Sequence, residues 1–425
     1  MSTLVVGFAG LTHLGLISSV AAASKGFRTL GYADDPPLVN AISQGIFPIL
    51  EPNLPETFTK YRDRLTFTAD LNDLSVCDIV TIALDVVTND QGQSDLTLVR
   101  NMIDRVLSVL RKEALLVVLC QVPPGFTRSI PLDTQRLFYQ VETLVFGNAI
   151  ERATTPERII LGQADRHQPI PGILAEFLGA FGCPILPMRY ESAELAKISI
   201  NMCLIASVSV ANMMAELCSH LGADWTEIVP ALRLDKRIGP HAYLKPGLGI
   251  SGGNLERDVE NVCHLAGITG CEVGVAHAWM TDSRYRKEWP LRQLHHAVLS
   301  HNPRARIAIL GLAYKENTAS TKNSPALALI AELATRALWA YDPSVTMEPG
   351  IFPQLTTVAD AWTACRGADV IVIMTPWPEF ARLEPARLAA EMAGRVVIDP
   401  YRMLDPETCH KAGLRHLVLG AGSFT

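Results

Sequence analysis

Residues 4–32 read LVVGFAGLTHLGLISSVAAASKGFRTLGY, and this stretch decides the fold. Leu4–Phe8 is a short apolar run, the pattern of a strand buried on both faces. A glycine-bearing turn follows, then the helical pattern Leu14–Ser24 and a second strand at Arg28–Tyr32. A strand, a glycine turn and a helix leading to a parallel strand form a unit in which backbone and helix N-terminus can approach a pyrophosphate. Gly7, Gly10 and Gly15 supply the glycines, and the GxGxxG frame falls on Gly10, Thr12 and Gly15. Thr12 therefore stands where the middle glycine belongs and narrows the approach. His13 and Leu14 border the same turn; packing is the default reading for His13. An acid is expected at the end of the second strand to hold a ribose. The frame places Ala33 there, which leaves Asp34 as the ribose candidate. Taken alone, the segment fits a cofactor turn and an ordinary structural turn equally well.

The alternation continues outward. Asp78–Leu84 and Leu115–Cys120 are continuous apolar runs bounded by polar residues, as in buried parallel strands. From Glu191 to His220 apolar residues recur at helical spacing without Gly or Pro, a helix of about 30 residues. More helix follows to Gln293, broken by a Gly-rich loop at 247–253. Strands then return at Arg306–Leu310, Leu338–Tyr341, Val370–Met374 and Val396–Ile398. The expectation is an α/β fold: two Rossmann-like, doubly wound parallel-sheet domains joined by a helical core. The expected domains are 1–188, 189–297 and 298–425.

At 425 residues, 48% hydrophobic and 19% charged, the chain can bury several cores and is not a disordered segment. Its net charge of −6 and lack of basic runs argue against nucleic acid and anionic membranes as partners. No uninterrupted apolar stretch reaches the roughly 18 residues of a membrane span. The start has no basic segment before its apolar part, which fits a first strand better than a signal peptide. Nine scattered cysteines without a CxxC fit free thiols in a reducing cytoplasm. The eleven histidines show no metal-ligand spacing, so no metal is expected.

Several segments in order resemble the UDP-glucose/GDP-mannose dehydrogenase family over nearly the whole chain. Gly45–Leu54, GIFPILEPNL, resembles GxxPIxEPxL; Val122–Thr127 resembles the STVPxGTT turn; Pro156–Gly162 resembles PDRIVIG. Ala193-Glu194, Lys197 and Asn201 match AExxKxxxN, Asp235–Gly239 matches DxRIG, and Leu310–Lys315 matches LGLAFK. Thr318, Ser324-Pro325, Tyr341–Pro343 and Trp377–Phe380 add to the match. The run 247–258, GLGISGGNLERD, resembles the family's active-site loop.

The resemblance implies an N-terminal NAD-binding domain, a helical dimer core and a C-terminal domain for the nucleoside diphosphate of a nucleotide sugar. It implies oxidation of a sugar alcohol to a carboxylate in two steps, with the aldehyde caught by a Cys thiolate, a Lys on the oxyanion and acids handling protons. It assigns Gly7, Gly10, Thr12, His13, Leu14, Gly15, Asp34, Gln121 and Lys315 to the cofactor. It assigns Arg237, Tyr243, Gly247, Gly249, Gly252 and Lys315 to the substrate, and Lys197, Asn201, Asp258 and the residue at 254 to catalysis. A homodimer in the cytoplasm is expected.

The chain departs from the pattern where the chemistry is hardest. Asn254 occupies the nucleophilic Cys position, and an amide is not a nucleophile. Counting back from Pro156, Phe146 falls at a Glu of the NPEFLREG segment that handles water and protons. Gln121 replaces the Thr of STVPxG, Asp85-Val86-Val87 replaces PTP, and Glu256 and Arg257 replace Pro and Lys. Lys197, Asn201 and Asp258 remain, a set that can hold an alkoxide, a ketone oxygen or a water. Asp258 can also be read as an N-cap of the helix after the loop, and Lys197 and Asn201 as plain polar residues of a helix face. Three functions stay open: a single hydride transfer, a redox-neutral epimerase or dehydratase with held NAD, and a non-catalytic binder.

Overall fold

The computed structural model describes residues 4–88, 94–252, 254–348 and 350–421. The chain divides into two compact units, 1–200 and 201–425, so the division falls inside one helix, Tyr190–Leu221.

The first unit is built on an eight-stranded sheet. Its strands are β1 (Val5–Ala9), β2 (Arg28–Tyr32), β3 (Leu65–Thr68), β4 (Ile79–Ile82), β7 (Leu115–Val118), β8 (Leu137–Gln140), β9 (Ile159–Gln163) and β10 (Ile185–Arg189), with a two-residue hairpin, β5 (Val87–Thr88) and β6 (Ser94–Asp95), outside it. The order is β10-β9-β8-β7-β4-β1-β2-β3, and every pairing is parallel except β8 with β9. Alternate side chains serve opposite faces. Val80, Ile82, Leu116 and Val118 enter one core, whereas Ile79, Leu115, Val117 and Phe8 enter the other. Both faces are covered, which is why these strands read as unbroken apolar runs. The strand order reverses between β1 and β4, so a crevice opens beyond their C-terminal ends.

The first helix, His13–Ser24, is buried along most of its length and closes at Gly26, whose φ of +103° a glycine adopts without strain. Gly15 permits the close approach of this helix to β1. A β-carbon there would lie 1.9 Å from the carbonyl oxygen of Gly10. Helix Thr97–Val109 packs Val99, Met102, Ile103 and Val106 against the sheet.

The second unit carries a six-stranded, fully parallel sheet, ordered β13-β12-β11-β14-β15-β16. These strands are β11 (Ile307–Leu310), β12 (Leu338–Tyr341), β13 (Leu355–Thr357), β14 (Val370–Ile373), β15 (Val396–Asp399) and β16 (Arg415–Val418). Helices Trp225–Leu234, Asn254–Thr269 and Gly274–Lys287 precede them. The expected fold class is the observed one, and the strands read from the sequence agree with the observed ones to within two residues at either end.

One expectation needs correction. Helix Tyr190–Leu221 is long and apolar enough by composition to cross a membrane, although the sequence reading found no such stretch. An average over Ile, Val, Met and Cys hides its interspersed polar residues. Two of these, Asn201 and Asn212, are buried, and each is hydrogen-bonded within the second unit. Length and composition alone therefore do not make this helix a membrane span.

Candidate functional site

The crevice at the β1–β4 reversal is a cleft of about 580 Å³ bordered by Gly10, Leu11, Thr12, Ala33, Asp34 and Leu84, with Leu98, Met102 and Arg105 across from them. Gly10 has a φ of +112°, and a β-carbon on it would meet Leu84 at 2.7 Å. Thr12 fills the middle-glycine place without blocking the turn. Its hydroxyl donates to the Ala83 carbonyl at 3.4 Å and accepts from the Asp85 amide at 3.1 Å, tying β1 to β4. Gly7 lies inside β1, where its missing side chain makes room for Cys77 and Leu74; its role is packing. Leu14 and Gly15 are buried in the first helix, and Gln121 follows β7 at the sheet's C-terminal edge.

Asp34 is not a bare ribose acceptor. Arg105 forks onto its carboxylate, and the Tyr32 hydroxyl donates to it as well. The Arg105 hydrogen bond holds the Asp34 carboxyl below the usual range. Burial, then Asp34, push the Tyr32 hydroxyl up to about 12, so it stays a donor. Near the start of the first helix lies Asp85, whose carboxyl interacts with the Thr12 hydroxyl and the His13 amide. It keeps a solvent-facing side, yet protein surrounds it closely enough that lost hydration raises its pKa against the pull of His13.

The motif glutamates prove to be anchors. Glu51, from GxxPIxEPxL, accepts from the amides of Gly147 (3.0 Å) and Ala149 (2.7 Å), and its carboxylate lies 3.2 Å from His13 Nε2. Burial pushes its carboxyl up, but His13 and the two amides outweigh that and hold it below the usual range. His13 stacks on Phe146 at 4.1 Å, so Phe146 is its platform. Glu194 accepts from the amides of Gly125 (2.6 Å) and Thr127 (2.8 Å) and pins the VPPGFT turn to the long helix. Burial still leaves the Glu194 carboxyl raised.

Lys197 and Asn201 lie one turn apart on the long helix, and each has an acid of its own. Lys197 Nζ is 3.2 Å from Glu142 Oε2, with side-chain exposures of only 12% and 16%. Glu142 was missed in the sequence. The gapless frame that sets Phe146 at the second Glu of NPEFLREG sets Glu142 at the first, and that was the signal to follow. The segment has therefore kept an acid beside the lysine. In the second unit, the Asn201 amide donates to Asp258, which is fully buried and also takes Arg257 Nε at 3.3 Å. The helix starts at Asn254, so Asp258 sits in its second turn and is not an N-cap.

Asn254 is exposed at that helix start. Glu256 accepts from Lys287 at 2.5 Å and from Asn323, which also donates to the Gly252 carbonyl at 3.0 Å. The substituted loop is thus stapled in place. Its glycines are structural as well. Gly249 and Gly252 have φ of +76° and +78°, and β-carbons there would meet Ser283 at 2.5 Å and Tyr314 at 2.8 Å. The Gly247 amide donates to Asn212 at 2.7 Å. Gly253 lies outside the described residues. Arg237 is exposed and folds back onto Asp235, and Tyr243 is half-exposed on a surface hollow. Lys315 Nζ lies 5.6 Å from the ring centre of Tyr314.

The C-terminal motifs converge on one carboxylate. Asp342 accepts from the amides of Leu312 (2.7 Å) and Ala313 (3.0 Å) and from Trp377 Nε1 (3.0 Å). LGLAYK, YDP and WPEF, far apart in sequence, form one knot beyond the C-terminal ends of β11, β12 and β14.

Models of the three domains of the UDP-glucose/GDP-mannose dehydrogenase family match the chain: the NAD binding domain at 4–175, the central domain at 191–282 and the UDP binding domain at 308–406. The chain is 27% identical to the UDP-glucose 6-dehydrogenase TuaD of Bacillus subtilis over 97% of its own length and 92% of that protein. It is 27% identical to the UDP-glucose 6-dehydrogenase of Rickettsia conorii, covering 98% and 99%. Among solved structures it superposes on a UDP-glucose dehydrogenase from Pyrobaculum islandicum with a TM-score of 0.87 at 25% identity, covering 99% and 98%. A UDP-D-ManNAc dehydrogenase from Pyrococcus horikoshii shares the fold, with a TM-score of 0.85 at 22% identity over 99% of this chain and 100% of that one. The chain belongs to the UDP-glucose/GDP-mannose dehydrogenase family of NAD-dependent oxidoreductases acting on CH–OH groups.

Proposed function

We propose that this enzyme oxidises the alcohol of a nucleotide sugar, a UDP-sugar or a similar diphosphate-bearing substrate, and stops after one hydride transfer. Asn254 carries the reading. At the place where the family resemblance expects a nucleophilic Cys, the chain offers an amide, which cannot trap an aldehyde. The residues of a single oxidation remain. Lys197 has a positive charge to hold a developing alkoxide, and Glu142 beside it can accept the hydroxyl proton. Asn201, held by Asp258 in the second unit, is a further polar residue of the motif that the chain retains. Bound NAD would supply the hydride acceptor. Gly10 and Gly15 provide the backbone cradle, and Leu11, Leu38, Leu84 and Met102 an apolar wall. In this reading 1–188 binds NAD, 189–297 is the helical core and 298–425 holds the nucleoside diphosphate. Val210, Met213, Leu217 and Leu221 form an exposed apolar stripe on the long helix and are its proposed homodimer contact, which sedimentation velocity tests.

The test is stoichiometry. Purified protein with a panel of nucleotide sugars and excess NAD should yield one NADH per sugar and an aldehyde or ketone product by mass spectrometry. Two NADH and a carboxylate would overturn the reading. Asp85 favours a second, non-catalytic reading, since a carboxylate near the expected phosphate site opposes binding of the dinucleotide. Absence of any thermal shift with NAD or UDP-sugars would select it.

A further inference from the structure

We propose that Asp34 and Arg105 together set which dinucleotide the cleft accepts, with Asp34 masking a guanidinium that would otherwise hold a 2′-phosphate. The inference rests on this cleft taking the adenosine half of the dinucleotide. At the end of β2, where a carboxylate usually accepts the ribose hydroxyls, stands Ala33, and its methyl group can accept nothing. The neighbouring Asp34 has a side chain 53% exposed and borders the cleft. Arg105 reaches it from helix Thr97–Val109, placing Nη2 2.8 Å from Oδ1 while Nη1 meets Oδ2. Tyr32, in β2, adds its hydroxyl to both partners.

This arrangement cuts two ways. Arg105 and Tyr32 take three of the roughly four acceptor sites of the carboxylate, which leaves one for a ribose hydroxyl, and the fork holds it in a fixed orientation. An arginine at this place is also the usual holder of the 2′-phosphate that distinguishes NADP from NAD. Here that arginine is neutralised. The charged residues bordering the cleft are Asp34, Asp104 and Arg105, which sum to one net negative charge and repel a phosphate. Both determinants are thus present, and Asp34 decides between them.

Binding of NAD and of NADP is measured by titration calorimetry on wild type, Asp34→Ser, and Asp34→Ser with Arg105→Met. Wild type should bind NAD at least tenfold more tightly than NADP. Asp34→Ser should lower that preference tenfold or more, mainly by tightening NADP, and adding Arg105→Met should abolish the NADP gain. Asp34 and Arg105 are both half-exposed, so the fold survives these changes, and a melting curve for each variant verifies it. NAD binding with an unchanged preference in Asp34→Ser, or an NADP gain that survives Arg105→Met, overturns the assignment while leaving the cleft a dinucleotide site. Failure of wild type to bind either dinucleotide overturns both.

Discussion

Breaking the Lys197–Glu142 pair separates a structural role from a chemical one. The two side chains are largely withdrawn from water and 3.2 Å apart. Removing one member of a buried pair leaves the other charge uncompensated, at a cost of about 3–5 kcal/mol. The residual solvent contact of both groups puts the expected value near the lower end, about 3 kcal/mol. For a unit of this size each kcal/mol moves the melting temperature about 2–4 °C, so Lys197→Met should lower it by about 6–12 °C, and Glu142→Leu similarly. In the double variant neither charge is stranded, and about 2 kcal/mol should return as coupling energy. Hydride transfer should behave differently. Both single variants should lose it, and the double variant should stay inactive although stability has recovered. The assay is a double-mutant cycle in urea unfolding, run beside NADH formation with the best nucleotide sugar. Single variants within 0.5 kcal/mol of wild type, or a strictly additive double, would refute the pairing argument. Activity returning with stability in the double variant would refute the chemical roles.

Three further outcomes follow from the geometry. Asp85→Asn removes a negative charge beside the start of the first helix, where the dinucleotide phosphates are expected, and should tighten NAD about tenfold, or about 1.4 kcal/mol. Because the Asp85 carboxyl titrates above its ordinary range, wild-type affinity should fall as pH rises through that raised value and Asp85 becomes charged, whereas the Asn variant should be flat; calorimetry across pH distinguishes the two. Gly15→Ala forces a β-carbon onto the Gly10 carbonyl and should cost about 3 kcal/mol and abolish NAD binding, seen in thermal melts with and without NAD. Asn254→Cys sets a thiol at a helix start, where the thiolate is favoured; NADH per sugar should then exceed one, and an unchanged yield would place the block at Gln121 or Phe146.

The site was legible in unequal parts. Lys197 and Asn201 were reachable through spacing, since i and i+4 on a helix share a face whatever surrounds them, and Asp258 through the resemblance of the 247–258 loop that it closes. Glu142 aligns with the first acid of its segment, but 55 residues of chain separate it from Lys197. Its importance appears once β8 delivers it to the lysine. Arg105 carried no signal at all. An arginine on an amphipathic helix reads as a solvated residue, and only the packing of Thr97–Val109 beside the end of β2 brings it to Asp34. The motif glutamates Glu51 and Glu194 could be listed as signatures but not understood, because the amides they collect lie 96 and 69 residues away.

By itself the sequence determined the fold class, the two largely parallel sheets, the long helix and the family, because periodicity and glycine turns are local consequences of backbone sterics and burial. It also determined that no thiol stands at 254. Tertiary structure alone decided which acid serves which base, that Asp34 is bound by Arg105, and that Asp342 gathers three distant motifs. Those contacts join strands and helices far apart in the chain, and the free energy of an ion pair or a buried carboxylate depends on what surrounds it in space.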